Sequence, residues 1–260
     1  MIKAQMADDL LHQKVAAIAY IRNHQMVRDQ LQDCGFYNVE FYCDRSTGAN
    51  AILAHNATHA ILAVRGTEKN FADILTDLKF RKERHPEYRI HRGFAEAWRS
   101  ISGAVQADVS SFRDQGIEVT ATGHSLGGAV AVKAATDMWL DKVVTFGAPR
   151  IGDDNFGFFV NWRTQHRRYV RGADVVPLVP LMAQGFKHDC AAHYIGADGQ
   201  LTANCELTRE LWGRAKSLFT LDWLMVTEGR LPCPAPKRMF TDHRITGYGA
   251  DLQRLLETHE

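Results

Sequence analysis

The 260-residue sequence predicts an α/β fold with a mostly parallel central sheet and helices on both faces. Three observations carry that prediction. Short β-branched or apolar runs alternate with helical stretches between residues 38 and 171. One run, HAILAVR at 59–65, is continuously apolar through its middle, as suits a strand covered on both faces. The stretch VTATGHSLGGAVAVKAA, from Val119, sets a serine between glycines where a strand gives way to a helix.

In chain order, the N-terminal stretch reads as an amphipathic helix with Leu10, Leu11, Val15, Ile18 and Ala19 on one stripe. Asp8, Asp9, His12 and Lys14 interrupt it, so it lacks the apolar core of a secretory signal. That points to the cytoplasm, or to a secreted protein if the sequence is that of a mature form. Strands follow at 38–45, 49–55 and 59–65, with Thr47-Gly48 turning between the first two. Residues 71–80 have helical spacing, 81–89 read as a charged, solvated loop, and 93–112 as a long helix. Then come a strand at 117–122, a helix at 125–138 and strands at 142–146 and 168–171. Residues 206–226 read as helical, Pro232, Pro234 and Pro236 break the stretch after them, and 251–258 close the chain as a helix.

Composition narrows the function classes. Lys plus Arg (31) nearly balance Asp plus Glu (30), so no global field calls for nucleic acid. No apolar run is long enough to span a bilayer. The five cysteines form no CxxC pair, which argues for free thiols over a disulfide framework or zinc ribbon. A Cys190–Cys205 bridge is the alternative for an exported chain. No repeat or Pro/Gly/Ser linker divides the sequence, so 1–260 reads as one domain.

Gly123-His124-Ser125-Leu126-Gly127 fits the G-x-S-x-G nucleophile elbow, with a strand before it and a helix after it. A serine hydroxyl needs a base oriented by a carboxylate. In α/β-hydrolases both partners follow the serine, in the order acid then histidine. Asp174, in the loop after a short strand, is the best acid, and Pro177 and Pro180 stiffen that loop. Asp153 and Asp154 come too early. His243 is favoured as base, with His188 and His193 as competitors. His124 adjoins the serine, diverges from it and reads as a packing residue. The cluster HDCAAH contains metal-ligand residue types, but its spacing fits no standard site. For the oxyanion, the Leu126 N–H is one donor, and Thr67, after Gly66 at the end of the buried strand, is the other.

These pieces resemble the fungal-type class 3 lipases, a branch of the α/β-hydrolases that includes feruloyl esterases and some phospholipases. The resemblance rests on AVRGTE, DILTDL, IHRGF, TGHSLGGA, TFGAPRIGDDNF, YVRGADVVPLVP and DHRITGY, in that order, over about residues 11–248. It implies Ser125 as nucleophile, Asp174 as acid, His243 as base, and Thr67 and Leu126 as oxyanion donors. It also implies Asp77 as a hydrogen-bond partner of Thr67, and a histidine in the 188–193 loop that is not the base. The segment 69–89 would be a lid helix and loop, its apolar stripe made by Phe71, Ile74, Leu75 and Leu78. Ile74 stands where the family usually has tryptophan. Residues 206–239 form a longer helical insert before the base than the family usually carries.

The expected activity is serine carboxylic-ester hydrolysis, most simply of acylglycerols, with no metal or organic cofactor. The substrate would be a lipid or small-molecule ester, with transient contact to a lipid surface and no nucleic acid. Phospholipase A1 or feruloyl-type esterase activity are the enzymatic alternatives. A lipid-binding module on an inactive hydrolase fold is the non-enzymatic one.

Overall fold

The apolar runs become the strands of one eight-stranded sheet. The computed structural model describes residues 2–66, 82–206, 209–212 and 241–258. Its sheet contains, side by side, β1 (Asn38–Cys43), β2 (Asn50–His55), β3 (His59–Val64), β6 (Glu118–His124), β7 (Lys142–Phe146), β8 (Gln165–Arg171), β9 (Ala192–Ile195) and β10 (Leu201–Cys205). The five strands from β3 to β9 are parallel, and β1, β2 and β10 add antiparallel edges. A separate hairpin pairs β4 (Lys82–Arg84) with β5 (Arg89–His91). Six helices are α1 (Ile2–Ile18), α2 (His24–Asp33), α3 (Arg92–Asp114), α4 (Leu126–Met138), α5 (Asp154–Arg163) and α6 (Ile245–Thr258) among the described residues.

Alternation along the strands sorts the core into two layers. From β3, Leu62 and Val64 join Trp98 and Val105 of α3 and Val130 of α4. The intervening Ile61 and Ala63 turn to the other face, against Val15 and Ile18 of α1 and Val27 and Leu31 of α2. Farther along that second face, Val144, Phe146, Tyr169 and Ile195 lie with Tyr248 and Leu252 of α6. Fully buried residues such as Leu53 and Leu62 each contribute about 1.5–3 kcal/mol by leaving water. The parallel strands all point their carboxyl ends to one edge, where β6, β7 and β8 release the loops that build the site.

Several elements differ from the sequence reading. The charged stretch at 81–89 is not simply a loop, because it carries the β4–β5 hairpin. The strand expected at 168–171 starts at Gln165, extended by pairing with β7. β9 and β10 arise where the sequence had no clear pattern, since four- and five-residue strands offer too few positions for a period. α2 is mostly polar and buries only Val27 and Leu31. Asp153, too early to be the acid, caps α5 by accepting from the Phe156 N–H at 3.1 Å, a contact worth about 1 kcal/mol. The proposed lid residues Phe71, Ile74, Leu75 and Leu78, with Thr67 and Asp77, lie outside the described residues, as does most of 206–239. Cys34, Cys43, Cys190 and Cys205 are free thiols, so no bridge joins Cys190 to Cys205. Among the described residues, no helix is long and apolar enough to cross a membrane.

α1 keeps the expected stripe but also buries Asp9, His12 and Gln13, because it is wedged between the sheet and α6. Its polar groups are met rather than stranded. Lys142 Nζ lies 2.8 Å from Asp8, and the Tyr169 hydroxyl donates to Asp9 at 2.7 Å. His12 Nδ1–H donates to the Asp8 carbonyl at 2.8 Å while its Nε2 accepts from Thr120 at 3.0 Å.

Burial pushes His12, His91 and His193 down to about 4, below the ordinary 6.5. The unfolded chain then binds more protons than the native one between those values, so stability rises with pH across that window. Asp9, raised by burial to about 6, opposes one of the three histidines. At His166 burial disfavours the charge, but the Asp189 carboxylate and the Cys190 sulfur outweigh it and raise the imidazole to about 10. Its stabilisation is complete below the unfolded value and fades as pH climbs toward the folded one. The melting temperature should therefore increase from about pH 4.5 to a maximum near about 6.5 and decline toward about 9.5. Calorimetry in matched-ionic-strength buffers checks this, and a melting temperature that falls between the first two values would contradict it.

Candidate active site

The sharp turn from β6 into α4 begins the site. Ser125 occupies φ 57°, ψ −135°, a conformation that L side chains rarely adopt, and its N–H is held by the Phe146 carbonyl of β7 at 3.0 Å. Gly127 makes the turn feasible, since a Cβ there would stand 2.6 Å from the Arg65 carbonyl carbon and 2.7 Å from the Gly66 nitrogen. That close approach sets the end of β3 against the elbow. Ser125 is 1% exposed, at the N-terminus of α4, where first-turn N–H groups lack intrahelical partners. Leu126 supplies the first of them.

The sheet edge brings the distant residues to Ser125. His243, just before α6, places Nε2 at 2.9 Å from the Ser125 Oγ, in position to accept its proton. Its Nδ1–H donates to Asp174, 2.9 Å from Oδ2 and 3.0 Å from Oδ1. Asp174 is fully buried and also receives the Val176 N–H at 3.0 Å and the Tyr248 hydroxyl at 2.7 Å. Three donors thus converge on one carboxylate that faces the imidazole. Gly147, at φ 59°, leaves room for this, because a Cβ there would sit 2.6 Å from Asp174 Oδ2 and 3.0 Å from His243 Nδ1. The FGAPR motif thus contributes the absence of a side chain. Arg150 of the same motif donates to the Leu178 and Pro180 carbonyls, which ties the loop that carries Asp174 to the end of β7.

His124 does more than pack. Its Nε2 lies 2.6 Å from the His243 carbonyl, which can only accept, so Nε2 carries the proton. Nδ1 then accepts from the Tyr20 hydroxyl at 2.8 Å. Burial first, with the neighbouring His243 second, pushes its pKa to about 3 and keeps the ring neutral. A neutral His124 thereby holds the backbone of His243 while its side chain stays off the serine.

The competing histidines lie elsewhere. His188 Nε2–H donates to the Pro177 carbonyl at 2.7 Å and braces the loop that carries Asp174. His193 stacks on Tyr169 with ring centroids 5.1 Å apart. His166, Asp189 and Cys190 converge as a group of metal-ligand types. However, His166 Nδ1 stands 2.7 Å from Asp189, the separation of a shared proton, and its Nε2 meets Thr145 at 2.8 Å. That arrangement is a buried ion pair with a thiol beside it.

Tyr248 and the bracing role of His124 escaped the sequence reading. Tyr248 lies five residues after His243 in a chain where any late tyrosine could pack on the sheet. For His124, adjacency to Ser125 was visible, but the hydrogen-bond partner 119 residues away was not.

Comparison with known proteins places this geometry in context. The family described as Lipase (class 3) matches residues 61–184, a span that includes Ser125 and Asp174. A secreted mono- and diacylglycerol lipase of Fusarium solani is 35% identical over 113 residues, covering 41% of this chain and 34% of that protein. A lipase of Rhizomucor miehei is 29% identical over 163 residues, covering 56% of this chain and 45% of its own length. The matched segments thus span about a third to just under half of these relatives. The solved structure of a Rhizomucor miehei lipase with its propeptide superposes with a TM-score of 0.69 at 21% identity, over 83% of this chain and 79% of that one. The fold is that of the α/β-hydrolases. Over residues 61–184 the chain is thus similar to the class 3 lipases, and its fold is similar to that of the Rhizomucor miehei lipase.

Proposed function

We propose that the chain is a serine carboxylic-ester hydrolase acting on acylglycerols through an acyl-enzyme. The observation that carries this reading is the Ser125–His243–Asp174 relay, with 2.9 Å from Oγ to Nε2 and 2.9 Å from Nδ1 to the carboxylate. The acylglycerol class draws its support from relatives named as mono- and diacylglycerol lipases.

Ser125 Oγ attacks the ester carbonyl carbon as His243 Nε2 takes its proton, and Asp174 stabilises the resulting imidazolium. The oxyanion develops at the N-terminus of α4, where the Leu126 N–H is the donor, with Thr67 as the second donor that the family likeness implies. His243 returns the proton to the departing glyceride alkoxide. A water then loses a proton to His243, attacks the acyl carbon and releases the fatty acid, regenerating Ser125. The strained φ of Ser125 keeps its hydroxyl at the base, so little reorganisation precedes attack. Secreted relatives favour action outside the cell over the cytoplasm. A lipid–water surface is the setting that such substrates present.

A fluorophosphonate ester probe should label the wild type stoichiometrically and leave Ser125→Ala unlabelled. Labelling that survives in Ser125→Ala would move the nucleophile elsewhere. His243→Ala should lower kcat by about three to six orders of magnitude, whereas His193→Ala should stay within about twofold; the opposite ranking would reassign the base. Among glycerol esters, phospholipids and feruloyl esters, mono- and diacylglycerols should give the highest kcat/KM. A preference for phospholipid or aryl esters would keep the chemistry and change the substrate class.

A further inference from the structure

We propose that Asp242 is a positioning residue that locks the loop of the base to the loop of the acid. This rests on the reading of Ser125, His243 and Asp174 as the reacting groups. Asp242 immediately precedes His243, and its Oδ2 accepts the N–H of Ala173, the residue immediately before Asp174, at 2.9 Å. The contact therefore runs beside the His243–Asp174 hydrogen bond in the same register, each joining residues 69 apart. Any shift of one loop against the other must break it.

The surroundings are shaped for that carboxylate. Gly172, at φ 46°, adopts a backbone conformation that other residues reach only with strain. A Cβ at Gly172 would run into the Asp242 carboxylate, 3.0 Å from its Cγ. Asp242 Oδ1 accepts from Arg171 Nη1 at 3.0 Å, and Arg171 Nε donates to Asp251 of α6 at 2.6 Å. Arg171 carries a single charge between two carboxylates, and Arg254 balances the second through Asp251. At 7% exposure, Asp242 is shielded from the water that would weaken these bonds.

The peptide of His243 is thus held from both sides. His124 grips its carbonyl at 2.6 Å, and the Asp242 carboxylate anchors the residue before it to Ala173. The imidazole keeps only its own side-chain rotation, which Asp174 and Ser125 limit at either nitrogen. A misplacement of about 1 Å at a base costs on the order of a hundredfold in rate, so the clamp acts on kcat through His243.

The experiment compares full-length wild type, Asp242→Ala and Asp242→Asn, with kcat expressed per site titrated by a fluorophosphonate ester. Ala removes both contacts, while Asn keeps an acceptor for the Ala173 N–H. The expected result is kcat per titrated site lowered about ten- to a hundredfold in Asp242→Ala, with KM within about twofold, and rescue to within about threefold in Asp242→Asn. A purely structural role would lower the titratable fraction and the melting temperature but leave kcat per titrated site unchanged, and that result would overturn the proposal. Equal loss of kcat in the Ala and Asn variants would also overturn it. Asp242→Ser, too short to reach Ala173, replaces the alanine variant if that one does not fold. Hydrolysis retained by Ser125→Ala would overturn the reading of the reacting groups. An inactive Ser125→Ala alongside an unimpaired Asp242→Ala would overturn the clamp alone.

Discussion

Ser125 is held at φ 57° by a turn that joins the end of β6 to the first residue of α4, and most of the site depends on that constraint. The turn closes only because Gly127 lets the backbone of Arg65 and Gly66 come into contact with the helix start. Parallel pairing then fixes where everything else must arrive. Phe146 of β7 holds the Ser125 N–H, Gly147 opens a space beside it, and the loop after β8 fills that space with Asp174. A strained residue of this kind costs about 1–3 kcal/mol. It persists because the sheet on one side and the helix on the other leave the chain no alternative path.

Charge is handled by the same logic of burial and pairing. Asp174, Asp242 and Asp251 are all nearly inaccessible to water, yet each is met by donors from a different segment of the chain. Such groups contribute little net stability, because desolvation offsets most of their attraction. They do reject misaligned packings, since a shifted loop would strand a buried carboxylate. The network on α1 works the same way. Asp8 and Asp9 meet Lys142, Arg167 and Tyr169 on β7 and β8, and the helix is fixed in one register against the sheet that carries the site.

Much of this architecture is legible in the amino-acid sequence. The buried strand at 59–64, the elbow, the long helix before it and the strand at 142–146 all have lengths or motifs that constrain the backbone locally. The residue types proposed as nucleophile, acid and base, and their order, are equally legible, because the chemistry demands those types and the family likeness orders them. β9, β10, the β4–β5 hairpin and the full length of β8 are not. These elements are short or polar, and they are strands only because a neighbour supplies the hydrogen bonds.

The chain alone therefore settles local matters: where it must turn sharply, which faces are apolar, and which side chains have the chemistry to react. Which distant groups meet is a property of the assembled fold. There His124 becomes a brace for His243 and not a bystander, Tyr248 becomes a donor to Asp174, and Asp242 reaches Ala173. A hydrogen bond needs its partners within about 3 Å, and no local pattern encodes a separation of 69 or 119 residues. That distance is set by the stacking of the strands, which the hydrophobic core fixes for the whole chain at once.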